Sequence, residues 1–493
     1  MIAANLPALQ IVVPLLSAPL CVLLRDRRLA WGFAVAITWI AFAIAVALLA
    51  RVMSEGVISY EMGNWAAPWG IEYRIDRLNA LVLLIVTGVG ALVAPAALRG
   101  IEREIPAERA PLFFTAFLLS FAGLLGITIT GDAFNLYVFL EISSLASYAL
   151  VALGPDRRAL TAAYRYLVLG TIGATFILIG VGLLYMMTGT LNMADLSARL
   201  VAVNETRAIH VAFAFIIVGA GLKLALFPLH MWLPNAYTFS PSIISAFLAA
   251  TATKVGVYVL IRFVFTIFGV AFSFEEMPLG EILLVFGLLA AFVASIVAIF
   301  QNNLKRMLAY SSVAQLGYMA LGIGFASVNG LIGTLVHLFN HALMKGALFM
   351  ALACVFHRLG SVDIGDIRGL GRRMPLTMAA FVAGGISLVG LPLTVGFISK
   401  WYFVLAAIEA GLWPIAVAIL ASSMLALIYI GRVIEAAYFQ PPPPGAPPVE
   451  EAPWPMLAPT LALAGASIYF GLDTELTVGV ARAAAEALMG VQP

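Results

Sequence analysis

Charge is scarce in this chain, and the scarcity decides the solvent. Of 493 residues, 11% are Asp, Glu, Lys or Arg and 63% are hydrophobic, with a mean hydropathy of +1.04, too apolar for a water-soluble chain of this length. A polytopic membrane protein is the class that remains. The net charge of +2, spread through short loops, argues against nucleic acid as a partner. Cysteine is almost missing: Cys21 and Cys354 lie in or beside apolar runs without metal-ligand spacing and read as small packing residues. There is no phosphate-cradling glycine loop, no metal cluster and no nucleophile with a matched base, so neither a cofactor nor a metal is expected. No stretch is long and hydrophilic enough for a soluble domain. The opening MIAANLPALQ lacks the cationic start and cleavage site of a signal peptide, so its apolar run is expected to stay as a span.

What is present is a succession of apolar runs, each about 17–25 residues, the length that crosses a hydrocarbon core. Fourteen spans are predicted, at 5–24, 29–52, 75–98, 111–130, 132–153, 161–188, 208–229, 240–268, 281–301, 307–326, 330–356, 377–407, 412–438 and 454–473. Loops after odd-numbered spans, counting Arg432 toward the end of span 13, hold 15 of the 27 Lys and Arg residues, which places those loops in the cytoplasm and both termini outside. Residues 54–77 read as a short external hairpin and the proline-rich 440–453 as an extended connector. The chain divides into helices 1–3 with the hairpin (1–110), a five-helix unit of helices 4–8 (111–268), a second of helices 9–13 (281–438), and the proline-rich loop with helix 14 (439–493).

Four of the five lysines, Lys223, Lys254, Lys345 and Lys400, fall inside predicted spans. A lysine in hydrocarbon costs roughly 2.5–3.5 kcal/mol on insertion scales, so each is a candidate functional residue. Lysine also gains and loses its proton more readily on burial than arginine, which suits a proton path better than a fixed array of charge. Lys223 opens KLALFPLHMWLPNAY, where Pro228 removes a backbone donor and should break the helix near membrane depth. GLPLTVGFISK pairs Pro392 with Lys400 in the corresponding part of the second unit. Two proline-broken spans in matching positions point to inverted repeats around an ion path.

Glu141 is the one acid well inside a span of the first unit, with Ser144 and Tyr148 on its helix face at i+3 and i+7. Its expected partner is Lys223; at a separation of about 7 Å and an effective dielectric of about 20 the pair is worth roughly 2.4 kcal/mol. His337, His341 and Lys345 stand at i, i+4 and i+8, a stripe that reads as a proton relay, with His337 alternatively a satisfied core histidine. Haem ligation is disfavoured, since the remaining histidines sit near span ends. Thr251 is placed one turn before Lys254 as part of a polar stripe, and Gln315, with Ser311, Ser312 and Tyr318, either extends a hydrated path or packs between helices.

Taken together, FLEISSLASYALV, KLALFPLHMWLPNAY, ATKVGVYVLIR, LKRMLAYSSVAQLGYM, HALMKGALF and GLPLTVGFISK, in this order, resemble the antiporter-like subunits shared by Mrp-type multisubunit Na⁺/H⁺ antiporters and the membrane arms of respiratory NADH–quinone oxidoreductase and related hydrogenases. The resemblance covers about residues 75–435. It implies an all-α polytopic membrane protein of about 14 transmembrane helices, with two inverted five-helix repeats and two discontinuous helices. It also implies protons conducted along Glu141, Lys223, Lys254, His341, Lys345 and Lys400 through half-channels opened at Pro228 and Pro392. Lys400 resembles the lysine at this place in the D subunit of Mrp antiporters, and the short tail after span 14 differs from larger homologues with a lateral helix. The D subunit of a monovalent cation (Na⁺)/H⁺ antiporter is therefore the first expectation. A proton-pumping membrane-arm subunit of an oxidoreductase or membrane-bound hydrogenase is the alternative, and an inert scaffold whose lysines pair carboxylates is the third reading. The expected partners are other hydrophobic subunits of the same complex, the lipid of a bacterial cytoplasmic membrane, H⁺ and Na⁺.

Overall fold

Lipid cannot hydrogen-bond a peptide group, so each crossing must satisfy its own backbone, and helices do so. The computed structural model, which describes residues 3–445 and 448–491, is accordingly helical apart from one hairpin. Helix α1 (Leu6–Leu23) turns sharply into α2 (Arg27–Glu55), whose first turn is capped by the Asp26 carboxylate accepting the Arg28 and Leu29 N–H groups. The hairpin follows, β1 (Ile58–Glu61) antiparallel to β2 (Glu72–Ile75) with Ile58 opposite Ile75. Asp76 and Asn79 then form a reciprocal cap on α3 (Arg77–Gly100). After α4 (Ala110–Ile129), the Asp132 carboxylate accepts the Asn135 N–H at 2.6 Å and so opens α5 (Ala133–Ala152).

Long α6 (Arg158–Thr188) leads to a short amphipathic α7 (Met193–Leu200), in a region where the sequence showed only a loop. Next come α8 (Arg207–Leu224) and its continuation α9 (Leu233–Phe239), then α10 (Ser242–Ala250) and α11 (Ala252–Ile261), which runs on as a π-helical turn at Arg262–Ile267. Then follow α12 (Leu279–Leu289), α13 (Ser295–Ile299), α14 (Leu304–Gly324), α15 (Val328–Leu359), α16 (Pro375–Val389), α17 (Val395–Glu409) and α18 (Trp413–Phe439). Helices α19 (Trp454–Leu472) and α20 (Glu475–Leu488) end the described chain.

Among the described residues, twelve helices are long and apolar enough to cross a membrane. Helix α14, long but richer in polar residues, and the broken pair α16–α17 bring the count into line with the fourteen predicted. The Arg51 guanidinium donates to the Ala3 carbonyl at 2.8 Å, and α20 lines one cavity with the end of α2, so the two described ends of the chain share the face that carries the hairpin.

Several details depart from the sequence reading. Span 8, predicted continuous over 240–268, is interrupted at Thr251 (φ −126°, ψ −59°), whose hydroxyl turns back to the Phe247 carbonyl. Thr251 is therefore the break before Lys254, not a residue one helical turn away on the same stripe. Lys305, placed in a loop, lies in the first turn of α14 and is buried, donating to the Ser240 carbonyl at 3.1 Å. The short tail beyond residue 473, given no element of its own above, is the helix α20.

Close helix crossings set the positions that matter below. Helix α8 meets α6 at Gly219 and Gly173: a Cβ on Gly219 would stand 2.6 Å from the Gly173 carbonyl oxygen and 2.9 Å from the Ile177 nitrogen. Both are backbone atoms that cannot swing aside. Gly219→Val is expected to push α8 off α6 and, with Lys223 one turn further along, to cut transport at least tenfold. A proteoliposome assay beside a native gel tests this, and wild-type transport would show that the crossing does not position Lys223.

Candidate functional site

The two most interior spans carry the central polar residues, Lys254, His337, His341 and Lys345. In the most apolar windows of α15 and of α10–α11, 100% and 94% of residues are buried, against 39% for peripheral spans such as α6, so a lysine there has no route to snorkel out. Three clusters follow one another across the bundle.

The first lies between α5 and α8. Glu141 Oε1 and Lys223 Nζ are 3.8 Å apart, with 22% and 9% of their side chains exposed, and Lys223 also donates to Ser144 Oγ at 2.8 Å. This is closer than the 7 Å expected. Lys223 occupies the last turn of α8, whose helix ends at Ala225 with φ +60°. The break at Ala225–Trp232, which contains Pro228, frees carbonyls, and Trp232 Nε1 donates to one of them, Leu222, at 2.8 Å. Trp232 is held by stacking on Tyr166 at 4.1 Å, and Tyr166 meets Tyr148 edge-on at 4.6 Å. Tyr148 thus braces the break through Tyr166.

The second cluster is central. Lys254 donates to the carbonyl of Ala249, across the Thr251 break, and to Thr253 Oγ1 at 3.4 Å. It lies within electrostatic range of His337, His341 and Lys345. The two histidine rings stack at 5.7 Å, one turn apart on α15. Lys345 donates to the Leu308 carbonyl at 2.8 Å and to Ser311 Oγ, bridging α15 to α14.

The third is on α17. Lys400 Nζ donates to the carbonyls of Val389 at 2.7 Å and Leu388 at 3.2 Å, the free C-terminal carbonyls of α16 where the chain breaks around Pro392. Its ammonium stands 5.3 Å from the Tyr318 ring, and its neighbour Ser399 hydrogen-bonds His337 Nδ1 at 2.7 Å. His337 therefore joins the second cluster to the third.

Among the described residues no carboxylate pairs with Lys254, Lys345, Lys400, His337 or His341; Glu141 is the only acid in the row. Both ring nitrogens of His341, His337 Nε2, Gln315 Oε1 and Tyr148 OH are buried without a protein partner. Buried polar atoms of that kind are where water is held. Pro228 and Pro392 themselves are exposed. Residues the sequence reading did not single out are Tyr166 and Trp232 at the first break, and Ser399 beside Lys400. Their signal was weak, since aromatic and serine residues in spans are common packing choices.

No group of three or more His, Cys, Asp or Glu among the described residues is placed to hold a metal ion. The arrangement can bind protons in sequence: one carboxylate–lysine pair at one end, then ammonium and imidazole groups with nothing to neutralise them. Two unit charges about 6 Å apart repel by about 3 kcal/mol at an effective dielectric of about 20, so a proton added at one station displaces one at the next.

Comparison with known proteins places the chain in a wider group. The family described as NADH:quinone oxidoreductase/Mrp antiporter, TM, matches residues 130–426. The chain is 44% identical to the N subunit of NADH-quinone oxidoreductase of Desulforudis audaxviator, with 96% of each chain covered. It is 31% identical to the D subunit of the Na(+)/H(+) antiporter of Bacillus subtilis, over 98% of this chain and 97% of that one. A chain in the Mrp complex from Dietzia sp. superposes with a TM-score of 0.91 at 26% identity, covering 99% of this chain and 98% of that chain.

Proposed function

Because the chain belongs to the NADH:quinone oxidoreductase/Mrp antiporter transmembrane family, we propose that it is a proton-translocating subunit of the membrane arm of a respiratory oxidoreductase complex. The choice within the family rests on similarity: 44% identity to an oxidoreductase N subunit against 31% to an antiporter D subunit, each over nearly the whole chain. This reverses the order suggested by Lys400. The observation that carries proton movement is the row of buried titratable groups from Glu141 to Lys400 with a single acid at one end. In this reading protons pass Glu141, Lys223, Lys254, His341, Lys345 and Lys400, and the breaks at Pro228 and Pro392 admit water to the row from opposite sides. His337 and Gln315 support the path between stations. The arginine-rich loops face the cytoplasm and the hairpin faces outward, across a bacterial cytoplasmic membrane.

The second reading is the D subunit of a monovalent cation/H⁺ antiporter, favoured by full-length similarity to that protein and by the TM-score of 0.91 with a chain of an Mrp complex. Purification of the complex in mild detergent, with mass spectrometry and an absorbance spectrum of the same sample, separates the two. Co-purifying hydrophilic subunits with flavin or iron–sulfur absorbance are expected. Small hydrophobic subunits alone, with no redox centre and Na⁺-dependent ΔpH formation, would establish the antiporter instead.

A further inference from the structure

A cavity of about 550 Å³ opens at the hairpin face, between the ends of α2 and α4, the start of α3, α7 and the C-terminal turns of α20. Arg262 and Asp76 stand at its wall, Arg262 on the π-helical turn that continues α11. π-Helical turns inside helices gather at functional sites. The Arg262 side chain is 8% exposed and that of Asp76 22%; Nη2 lies 2.6 Å from one carboxylate oxygen and 2.7 Å from the other. On its inner side Arg262 Nε donates to Tyr258 OH at 3.0 Å, and Tyr258 OH donates to the Thr128 carbonyl at 2.8 Å. Lys254, Tyr258 and Arg262 occur at i, i+4 and i+8, one face of a helix, rising about 12 Å from the central lysine to the cavity wall.

None of these groups beyond Lys254 has a part in the row described above, yet they share a helix face with its middle and reach open space. We propose that this cavity is the aqueous vestibule of the proton path at the hairpin face, that Asp76 exchanges protons with it, and that Arg262 positions Asp76 over the Tyr258–Lys254 stripe. The inference rests on the proton-translocating reading and deepens it. A proton taken from cavity water turns the Asp76 carboxylate into the acid and releases Arg262; passing that proton inward past Tyr258 to a neutral Lys254 amine, which becomes ammonium, restores the carboxylate and the pair. Arginine keeps its own proton throughout. Arg74 and Arg77, which also line the cavity, raise its positive potential.

Asp76→Asn separates this role from the helix cap, because asparagine caps as well as aspartate. In the intact complex, Asp76→Asn is expected to lower proton translocation to below a tenth, with Asp76→Glu restoring at least a third. A second arm places a thiol at Ser197, which lines the cavity outside the stripe. A membrane-impermeant cationic methanethiosulfonate applied to the hairpin face should slow Ser197→Cys severalfold and spare the parent, whose Cys21 and Cys354 are buried. Full translocation in Asp76→Asn, or a modified Cys at that position with no loss of rate, overturns the vestibule. If Asp76→Asn does not assemble, the thiol arm decides alone. Glu141→Gln run alongside keeps the two readings apart: loss there with full activity in Asp76→Asn removes only the vestibule, whereas full activity in both removes the proton-translocating reading itself.

Discussion

Glu141→Gln or Lys223→Ala is expected to bring proton translocation below a tenth of the parent rate while the complex still assembles. At 3.8 Å and an effective dielectric of about 20, the attraction between the two charges is about 4 kcal/mol. Breaking a buried pair by removing one partner ordinarily costs about 3–5 kcal/mol, because a charge is left unpaired. Here the penalty is smaller. Glu141 is a fifth exposed, so its carboxylate is not fully stranded when Lys223 is gone, and Lys223 keeps its hydrogen bond to Ser144 when Glu141 becomes an amide. Assembly therefore survives changes that remove the one place in the row where a proton can be traded between an acid and a base. The measurement is quenching of a ΔpH dye in inverted vesicles, beside a native gel of the complex. Wild-type quenching with either substitution would remove this pair from the path. Equal loss of complex on the gel would make the pair structural.

How far the fold could be read from residues alone follows from which signals are local. Span length and the two proline breaks are local, because an apolar run of membrane thickness and a missing backbone donor act within one helix. The two breaks came out within a few residues of Pro228 and Pro392. The break at Thr251 carries no proline or glycine; its backbone leaves the helix where Lys254 reaches back to Ala249 and Thr251 to Phe247. These are local hydrogen bonds made by common polar side chains, and nothing in the sequence pattern announces that they interrupt the helix. Helix α7 was missed because a short amphipathic segment between two long spans reads as loop. Lys305 was misplaced for a related reason: its burial depends on Glu104, from the α3–α4 connection, which lies near it and accepts the Ser242 N–H through both carboxylate oxygens. Burial raises the affinity of the Glu104 carboxyl for its proton, and the Lys305 charge and the Ser242 N–H oppose that rise. The stripe at His337, His341 and Lys345 was legible as periodicity, but the route onward to Lys400 through Ser399 joins two helices distant in sequence and required the structure. Arg262 stood eight residues beyond Lys254 in plain view; its meaning depended on Asp76, nearly two hundred residues earlier.

Lys254→Met should bring proton translocation below a tenth and, unlike most losses of a buried polar group, leave the complex as heat-stable as the parent or more so. Lys254 is fully buried with no carboxylate partner among the described residues, and its ammonium is satisfied by one carbonyl and one hydroxyl. Removing it leaves the Ala249 carbonyl without that donor, which costs about 1–3 kcal/mol. It also removes the need to keep an ammonium out of water, a penalty of several kcal/mol for an ion in a protein interior. The second term is the larger, and methionine fills the space of the lysine stem with a flexible apolar chain. Stability and activity therefore move in opposite directions, the pattern expected where a group is kept for its proton and not for its packing. Thermal unfolding of the purified complex and vesicle pumping, measured on the same preparation, decide the matter. A midpoint lowered by more than about 5 °C would mean that Lys254 holds α11 in place across the break. A stable complex that pumps normally would mean that protons cross the bundle without it, and the central cluster would lose its place between Lys223 and Lys400.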